Sequence, residues 1–184
     1  MPANSVVAII PKDLILTSTD KENWAGEIAS KARRAQVFGE SAAGIGEWVS
    51  TWSGGYTEGL AEGMSKGVRE QLPKKLKRRR FRFDESKAKY GLVEGDFSLY
   101  NVVWSRACYL GAVWDNEIGV VPFFDMLNHG GRGNENVKLC PVGEVREKPG
   151  GEEMVPSNLH PRDMLLIATK VGTSFPHCQL KLLL

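Results

Sequence analysis

Residues 120–136 of this chain read VVPFFDMLNHGGRGNEN, and this stretch is the strongest indication of the fold in the sequence. Its apolar start predicts a fully buried strand over residues 120–124. Asp125 follows the strand directly, and Asn128 and His129 come just before a polar, glycine-rich loop. Polar side chains at the end of a buried strand cost free energy unless their atoms find hydrogen-bond partners. Either the fold or a ligand must supply those partners.

The same residues resemble the Asp-x-x-Asn-His motif of SET-domain methyltransferases, with Asp125, Asn128 and His129 at the motif positions. The resemblance is to the branch that contains the Rubisco large-subunit lysine methyltransferases and the related histidine and lysine methyltransferases. It implies that the Asn128 side chain and the backbone beside His129 hold S-adenosylmethionine (SAM), with Asp125 in the same cofactor-binding segment. The alternative is an ordinary strand-to-loop junction with a satisfied core histidine. The complete string in its strand context favours the SET interpretation.

Three further segments resemble the same family. Residues 7–17 resemble its early strand, Ile-Pro, strand segment, and residues 162–170 resemble a later strand. Residues 97–110 resemble the helix that precedes the buried strand and ends in a Thr/Ser-Arg pair, which here is Ser105 and Arg106. The resemblance implies that Arg106 contacts the carboxylate end of SAM, a charge-assisted contact that suits a guanidinium. The alternative is an arginine on the solvent-facing side of a helix.

Two features of the family pattern are missing from this sequence. Family members begin with a Gly-x-Gly-like segment that cradles SAM, and they carry Gly-Glu-Glu and then Tyr-Gly after the strand that residues 164–170 resemble. Here Gly-Glu-Glu occurs at residues 151–153, before that strand, and no tyrosine follows Tyr109. We therefore expect residues 1–184 to be a partial SET domain whose methyltransferase activity is much weaker than that of a complete relative, or absent.

Length, composition and charge are those of an ordinary globular protein. The 184 residues suffice for one domain with a sizeable core. A net charge of +2 does not mark the whole chain as a nucleic-acid binder, and no apolar run approaches the ~20 residues of a membrane helix. The start of the chain lacks the pattern of a secretory signal. Three cysteines at no metal-like spacing indicate an intracellular compartment, without distinguishing cytoplasm, nucleus and plastid.

The periodicity of the chain predicts an α+β fold of short strands, which the resemblance specifies as a SET-type β-fold with a mostly helical insertion. Thr19 and Glu22 form a capping-box pattern ahead of a helix whose apolar stripe begins at Trp24. In the family such a helix leads into the insertion, which we assign to residues 38–90. A long helix is predicted over residues 97–113. Strands are predicted over residues 6–10, 14–17, 137–140, 142–146 and 164–169.

A basic run occupies residues 74–82, where seven of the nine residues from Lys74 to Arg82 are lysine or arginine. Three interpretations compete: a solvated surface segment or linker, a nuclear-import-like or nucleic-acid-binding patch, and a docking site for an acidic partner. We expect the basic run to be mostly exposed, since burying seven unpaired cations would be prohibitive.

The function that the resemblance implies is SAM-dependent N-methylation of lysine side chains in a protein substrate. The cofactor would be bound by Arg106, Asp125, Asn128 and His129, and no catalytic residue can be assigned. Two alternatives stay open: a non-catalytic protein-interaction remnant of a SET fold, and a nucleic-acid-associated protein that uses the basic run. The sequence contains no dinucleotide-binding glycine pattern, no P-loop and no zinc-type cysteine cluster.

Overall fold

The computed structural model of the chain describes residues 5–38, 49, 66–124 and 137–168. The backbone divides into two compact units. The terminal unit comprises Met1–Pro11 and Leu127–Leu184, and the central unit comprises Lys12–Met126. Each unit combines helices with a small antiparallel sheet, so the predicted α+β class is confirmed.

The described residues form six strands, five α-helices and three 3-10 turns. The strands are β1 (Val6–Ile10), β2 (Leu16–Ser18), β3 (Cys108–Tyr109), β4 (Ile118–Val120), β5 (Val137–Pro141) and β6 (Met164–Ala168). The α-helices are α1 (Trp24–Phe38), α2 (Lys66–Tyr90), α3 (Phe97–Arg106), α4 (Val142–Arg146) and α5 (Gly151–Met154). Single 3-10 turns occupy Lys12–Leu14, Glu94–Asp96 and Ala112–Trp114.

The sheet of the terminal unit has the order β1–β6–β5, with all pairs antiparallel. All five residues of the central strand β6 are buried, as expected for a continuous apolar run that is covered on both faces. Ile9 lies opposite Leu165 across the β1–β6 pair. The strands predicted over residues 6–10, 137–140 and 164–169 are therefore confirmed within the described residues.

The strand predicted over residues 142–146 is wrong, because this segment forms the helix α4. Pro141 precedes it with an extended backbone, and Val142 and Val145 then pack into the core at helical spacing. The Val142 N–H donates to the Asp163 carbonyl (2.8 Å), so it does not pair with a further strand. Tertiary contacts here override the strand preference of the two valines.

Helices α1, α2 and α3 of the central unit pack around a shared core. The predicted helix that starts at Trp24 is confirmed as α1. Its buried stripe consists of Ala25, Ile28, Ala29, Ala32 and Ala35. From α2 comes Phe83, whose ring centroid lies 5.2 Å from that of Phe97 and 5.3 Å from that of Tyr100 on α3. Aromatic contacts of this geometry add to the free energy gained by burying the rings.

Helix α2 is 25 residues long and contains the whole basic run, so the linker interpretation of that run is wrong. The helix fills the second part of the insertion predicted at residues 38–90, whose assignment as an insertion stays a prediction. Within the described ranges, no helix combines the length and the apolar composition that a membrane crossing requires.

Helix α3 ends at Arg106, well before the end predicted at residue 113. Ala107 is extended, and the chain continues into β3, which pairs with β4. Gly111, with a φ of 88°, then begins a tight turn that leads back into β4. Apolar residues continue at helical spacing as far as Leu110, which is why the sequence pattern overestimates the helix.

The turn that leads into α1 is held by Asp20, a residue that the predicted capping box of Thr19 and Glu22 left out. The Asp20 carboxylate accepts hydrogen bonds from the backbone N–H groups of Glu22 and Asn23, each at 3.0 Å. An aspartate that satisfies free N–H groups ahead of a helix stabilises the helix start.

Gly26 permits the close approach of α1 to α2, and we expect Gly26→Ala to lower the free energy of unfolding by about 1–2 kcal/mol. A Cβ atom at this position would lie 2.5 Å from the Ser86 Cβ, too close for either helix to stay in place. Chemical denaturation followed by circular dichroism measures the effect. Gly67→Ala is the matched control in α2, because a Cβ atom there would meet nothing within 4 Å. An equal loss in both variants would contradict the steric explanation.

Candidate functional site

The strand that leads to the predicted SAM-binding motif is β4, and it is shorter than predicted. Val120, its last residue, and Val121 have no exposed surface. Phe123 is 42% exposed and has a φ of 67°, a conformation that non-glycine residues rarely adopt. The Phe124 N–H donates to the Pro122 carbonyl (2.8 Å), so the chain turns out of the sheet here. Of the strand predicted over residues 120–124, only Val120 belongs to β4, and the prediction is wrong for residues 121–124, although the predicted burial is confirmed for Val120 and Val121.

Asp125, Asn128 and His129 lie outside the described residues, as does the polar loop predicted after them. Their contacts with a cofactor therefore stay predictions. The predicted proximity of Asn128 to Arg106 stays a prediction for the same reason.

Arg106 is the one predicted site residue that the structure describes. It occupies the last turn of α3 and is half-buried. Cys108 lies opposite Gly119 in the antiparallel pair of β3 and β4, so the start of β3 lies beside the end of β4. Arg106 is therefore at the end of this sheet from which the chain leaves toward Asp125.

The opposite end of the same sheet borders an open cleft of about 520 Å³. Its lining includes Asp20, Trp24, Tyr109, Asp115 and Glu117. Asp20 is engaged there by the Lys89 ammonium (2.7 Å) and by the Tyr90 hydroxyl. These two contacts, with the backbone N–H of Asn23, hold the pKa of the Asp20 carboxyl well below its usual range. Asp20 thus joins the start of α1 to the end of α2, and its role is structural.

A third surface lies where α2 faces α3. It is an open cleft of about 350 Å³, which we call the basic cleft. It is lined by Lys75, Arg78, Arg79, Arg82 and Trp104. Of the seven cations in the basic run, four are exposed and three are half-buried, so the expected exposure is confirmed. The sequence signalled these cations but not Trp104, because only tertiary packing brings α3 beside them.

Metal chemistry has no support within the part of the chain that the structure describes. No group of three or more histidine, cysteine, aspartate or glutamate side chains there could hold a metal ion. Cys140 forms no disulfide, and burial raises the pKa of its thiol. A buried thiol with a raised pKa is poorly reactive, so Cys140 serves the packing of the terminal unit.

Comparison of the chain with family models, with curated proteins and with solved structures finds no match. The resemblance to SET-domain methyltransferases therefore rests on the residues that carry it.

Proposed function

We propose that this chain is a SET-type domain that binds SAM for the methylation of lysine side chains of a protein substrate, with methyl transfer weak or absent because the Gly-x-Gly-like and Tyr-Gly motifs of the family are missing from its sequence. The observation that carries the proposal is the string in which Asp125, Asn128 and His129 follow the apolar run at residues 120–124. The burial of Val120 at the end of β4 and of Val121 just after it supports the proposal, because these two residues fix the chain ahead of the motif. The sharp turn at Phe123 supports it further, since backbone strain concentrates at binding sites.

The position of Arg106 fits the carboxylate end of SAM. A half-buried guanidinium at the end of a helix can form two parallel hydrogen bonds with a carboxylate in a setting of reduced water access. Arg106 lies at the end of the sheet at which β4 ends, and the chain continues from β4 toward Asp125. Asn128 and the backbone beside His129 would hold the remainder of the cofactor.

The chemistry that bound SAM supplies is an electrophilic methyl group. The protein contributes positioning and exclusion of water, which can account for large rate gains when two reactants are held in line. Arg106 and Asn128 would orient the cofactor, and the buried strand ahead of the motif would keep that segment in place. The target lysine amine must enter in its neutral form, because a protonated amine has no lone pair to donate.

The proposal is tested by measuring SAM binding to the purified protein with isothermal titration calorimetry. We expect Asn128→Ala and Arg106→Gln each to weaken SAM binding about 10- to 100-fold, since each removes hydrogen bonds to a polar or charged group. Asn158→Ala and Arg34→Gln are matched controls at exposed positions, and both should bind SAM like the unchanged protein.

The alternative of a non-catalytic SET remnant makes a different prediction in the same experiment. A folded protein that binds no SAM would contradict the proposed function and support the interaction role. Transfer of labelled methyl groups from SAM to a lysine-rich protein mixture then tests catalysis directly. Binding without methyl transfer would limit the proposal to cofactor recognition.

A further inference from the structure

The basic cleft presents four cations on one face of α2. Lys75, Arg78, Arg79 and Arg82 are spaced by three, one and three residues, which places them side by side on a helix. From Lys75 to Arg82 they extend about 10 Å along the helix axis. The whole chain has a net charge of only +2, so this face concentrates positive charge that the rest of the molecule offsets.

These four cations differ from Arg80, Lys87 and Lys89 of α2 in their ion pairing. Arg80 forms ion pairs with Asp84 and Glu94, and Lys87 also contacts both carboxylates. Within the part of the chain that the structure describes, none of the four cleft cations forms a salt bridge. Within the same described part, Lys74 and Lys77 also form no salt bridge, so what distinguishes the cleft cations from these two lysines is their position beside Trp104.

The wall of the basic cleft is an indole ring held in a fixed position. The Trp104 ring centroid lies 4.6 Å from that of Trp24 on α1, which supports it from behind. The guanidinium carbon of Arg79 lies 5.6 Å from the same Trp104 centroid, within the range of a cation–π contact. A planar guanidinium that packs against an aromatic ring is well placed to stack on a further flat group.

We infer that the basic cleft binds a strand of single-stranded nucleic acid. A row of cations beside an aromatic wall is the combination that such strands require, because the cations follow the phosphates and the flat groups stack with bases. The cleft volume of about 350 Å³ is at the lower end of the range for ligand sites, and a concave site suits one strand better than a duplex. Three of the four cations are arginine, which binds phosphate in a bidentate manner and stacks on bases.

An acidic protein segment is the competing partner, and the composition of the cleft favours nucleic acid over it. Carboxylates would satisfy the cations, yet an acidic segment offers no flat group for Arg79 and Trp104. The inference is independent of the proposed methyltransferase function, because it involves none of the residues assigned to SAM.

The test is fluorescence anisotropy of a short labelled single-stranded oligonucleotide of mixed sequence, titrated with the full chain at several salt concentrations. Arg78→Gln/Arg79→Gln is expected to weaken binding about tenfold or more and to make the slope of log K against log salt shallower by about 1.4. Lys74→Gln/Lys77→Gln removes the same charge from the same helix outside the cleft and should change binding less than about threefold. Circular dichroism establishes that both variants keep their helix content.

Two results would overturn the inference. Equal weakening in the two double variants would mean that only general charge attracts the oligonucleotide. Displacement of the oligonucleotide by polyglutamate of equal charge, at equal concentration, would assign the cleft to an acidic protein partner instead.

Arg79→Lys provides a second test in which the charge is retained. It is expected to weaken binding of the oligonucleotide because lysine lacks the flat guanidinium.

Discussion

Replacing Phe83 with alanine is expected to lower the free energy of unfolding by about 3–5 kcal/mol, the largest effect that we predict. The Phe83 side chain has no exposed surface and packs against the rings of Phe97 and Tyr100. Its loss leaves a cavity between α2 and α3 that the helices can close only in part, and it removes two aromatic contacts. Urea denaturation, followed by tryptophan fluorescence and by circular dichroism, measures the change.

Phe81→Ala is the matched control for this prediction. Phe81 lies on the same helix but is 64% exposed, so we expect its removal to change the free energy of unfolding by less than about 0.5 kcal/mol. A loss below about 1 kcal/mol for Phe83→Ala would contradict the packing of α2 on α3. That packing also positions the basic cleft, because Trp104 lies one turn beyond Tyr100 on α3.

The elements that the sequence predicts correctly are those whose signal is local. The run over residues 6–10 forms β1 as predicted, and the apolar stripe that begins at Trp24 forms α1. The completely apolar segment Met164–Ala168 forms a strand buried on both faces. The residues after Trp24 have the apolar spacing of a helix, whereas the two continuous apolar runs are recognisable as strands by their length of five residues each.

The predicted elements that are wrong are those whose structure depends on tertiary contacts. Residues 142–146 are too few for their apolar spacing to distinguish a strand from a helix, and the Asp163 carbonyl accepts the Val142 N–H that a strand would have used. The end of α3 is misjudged because Leu110 continues the helical spacing while its neighbours pair with β4. Neither outcome can be read from local periodicity, since both depend on which segment happens to lie alongside.

The residues of the candidate surfaces divide in the same way into those that the sequence can identify and those that only contacts between distant segments reveal. Arg106 and the basic run could be identified from the sequence, because a family pattern and a charge count single them out. Trp104 could not be identified as the wall of the basic cleft, since its spacing also suits an ordinary core residue of α3. Asp20 was missed because its partners Lys89 and Tyr90 are distant in sequence.

The proposal of a cofactor site and the proposal that the basic cleft binds nucleic acid can be tested independently. Substitution of Asn128 leaves the cations of α2 unchanged, and substitution of Arg79 leaves the motif after β4 unchanged. A protein that binds both SAM and single-stranded nucleic acid would join methyl transfer to a substrate found on nucleic acid. A protein that binds only the nucleic acid would support the alternative in which the chain is a nucleic-acid-associated protein without catalysis.

Asp20→Asn is expected to lower the free energy of unfolding at neutral pH by about 2–3 kcal/mol, because the charge-assisted hydrogen bonds to Lys89 and Tyr90 are weakened while the amide oxygen can still accept the N–H groups at the helix start. The side chain of Asp20 is only 15% exposed and accepts hydrogen bonds from Lys89 (2.7 Å) and Tyr90. The neutral amide of the substituted side chain cannot form the ion pair and can replace only some of the hydrogen bonds. Asp13→Asn, at a carboxylate that is 68% exposed, is the control and should have little effect.

The pH dependence of this effect distinguishes the charge of Asp20 from its shape. The Lys89 and Tyr90 contacts lower the pKa of Asp20 in the folded protein. The Asp20 charge therefore makes its full contribution to the free energy of unfolding above the unfolded pKa of about 4. It is lost as the pH falls from about 4 through the lower folded pKa. The difference in unfolding free energy between the unchanged protein and Asp20→Asn should therefore be constant from about pH 5 to 7 and shrink steadily below about pH 4. Denaturation curves recorded across this range provide the measurement, and a difference that stays constant down to about pH 2 would contradict a charged Asp20 at the junction of α1 and α2.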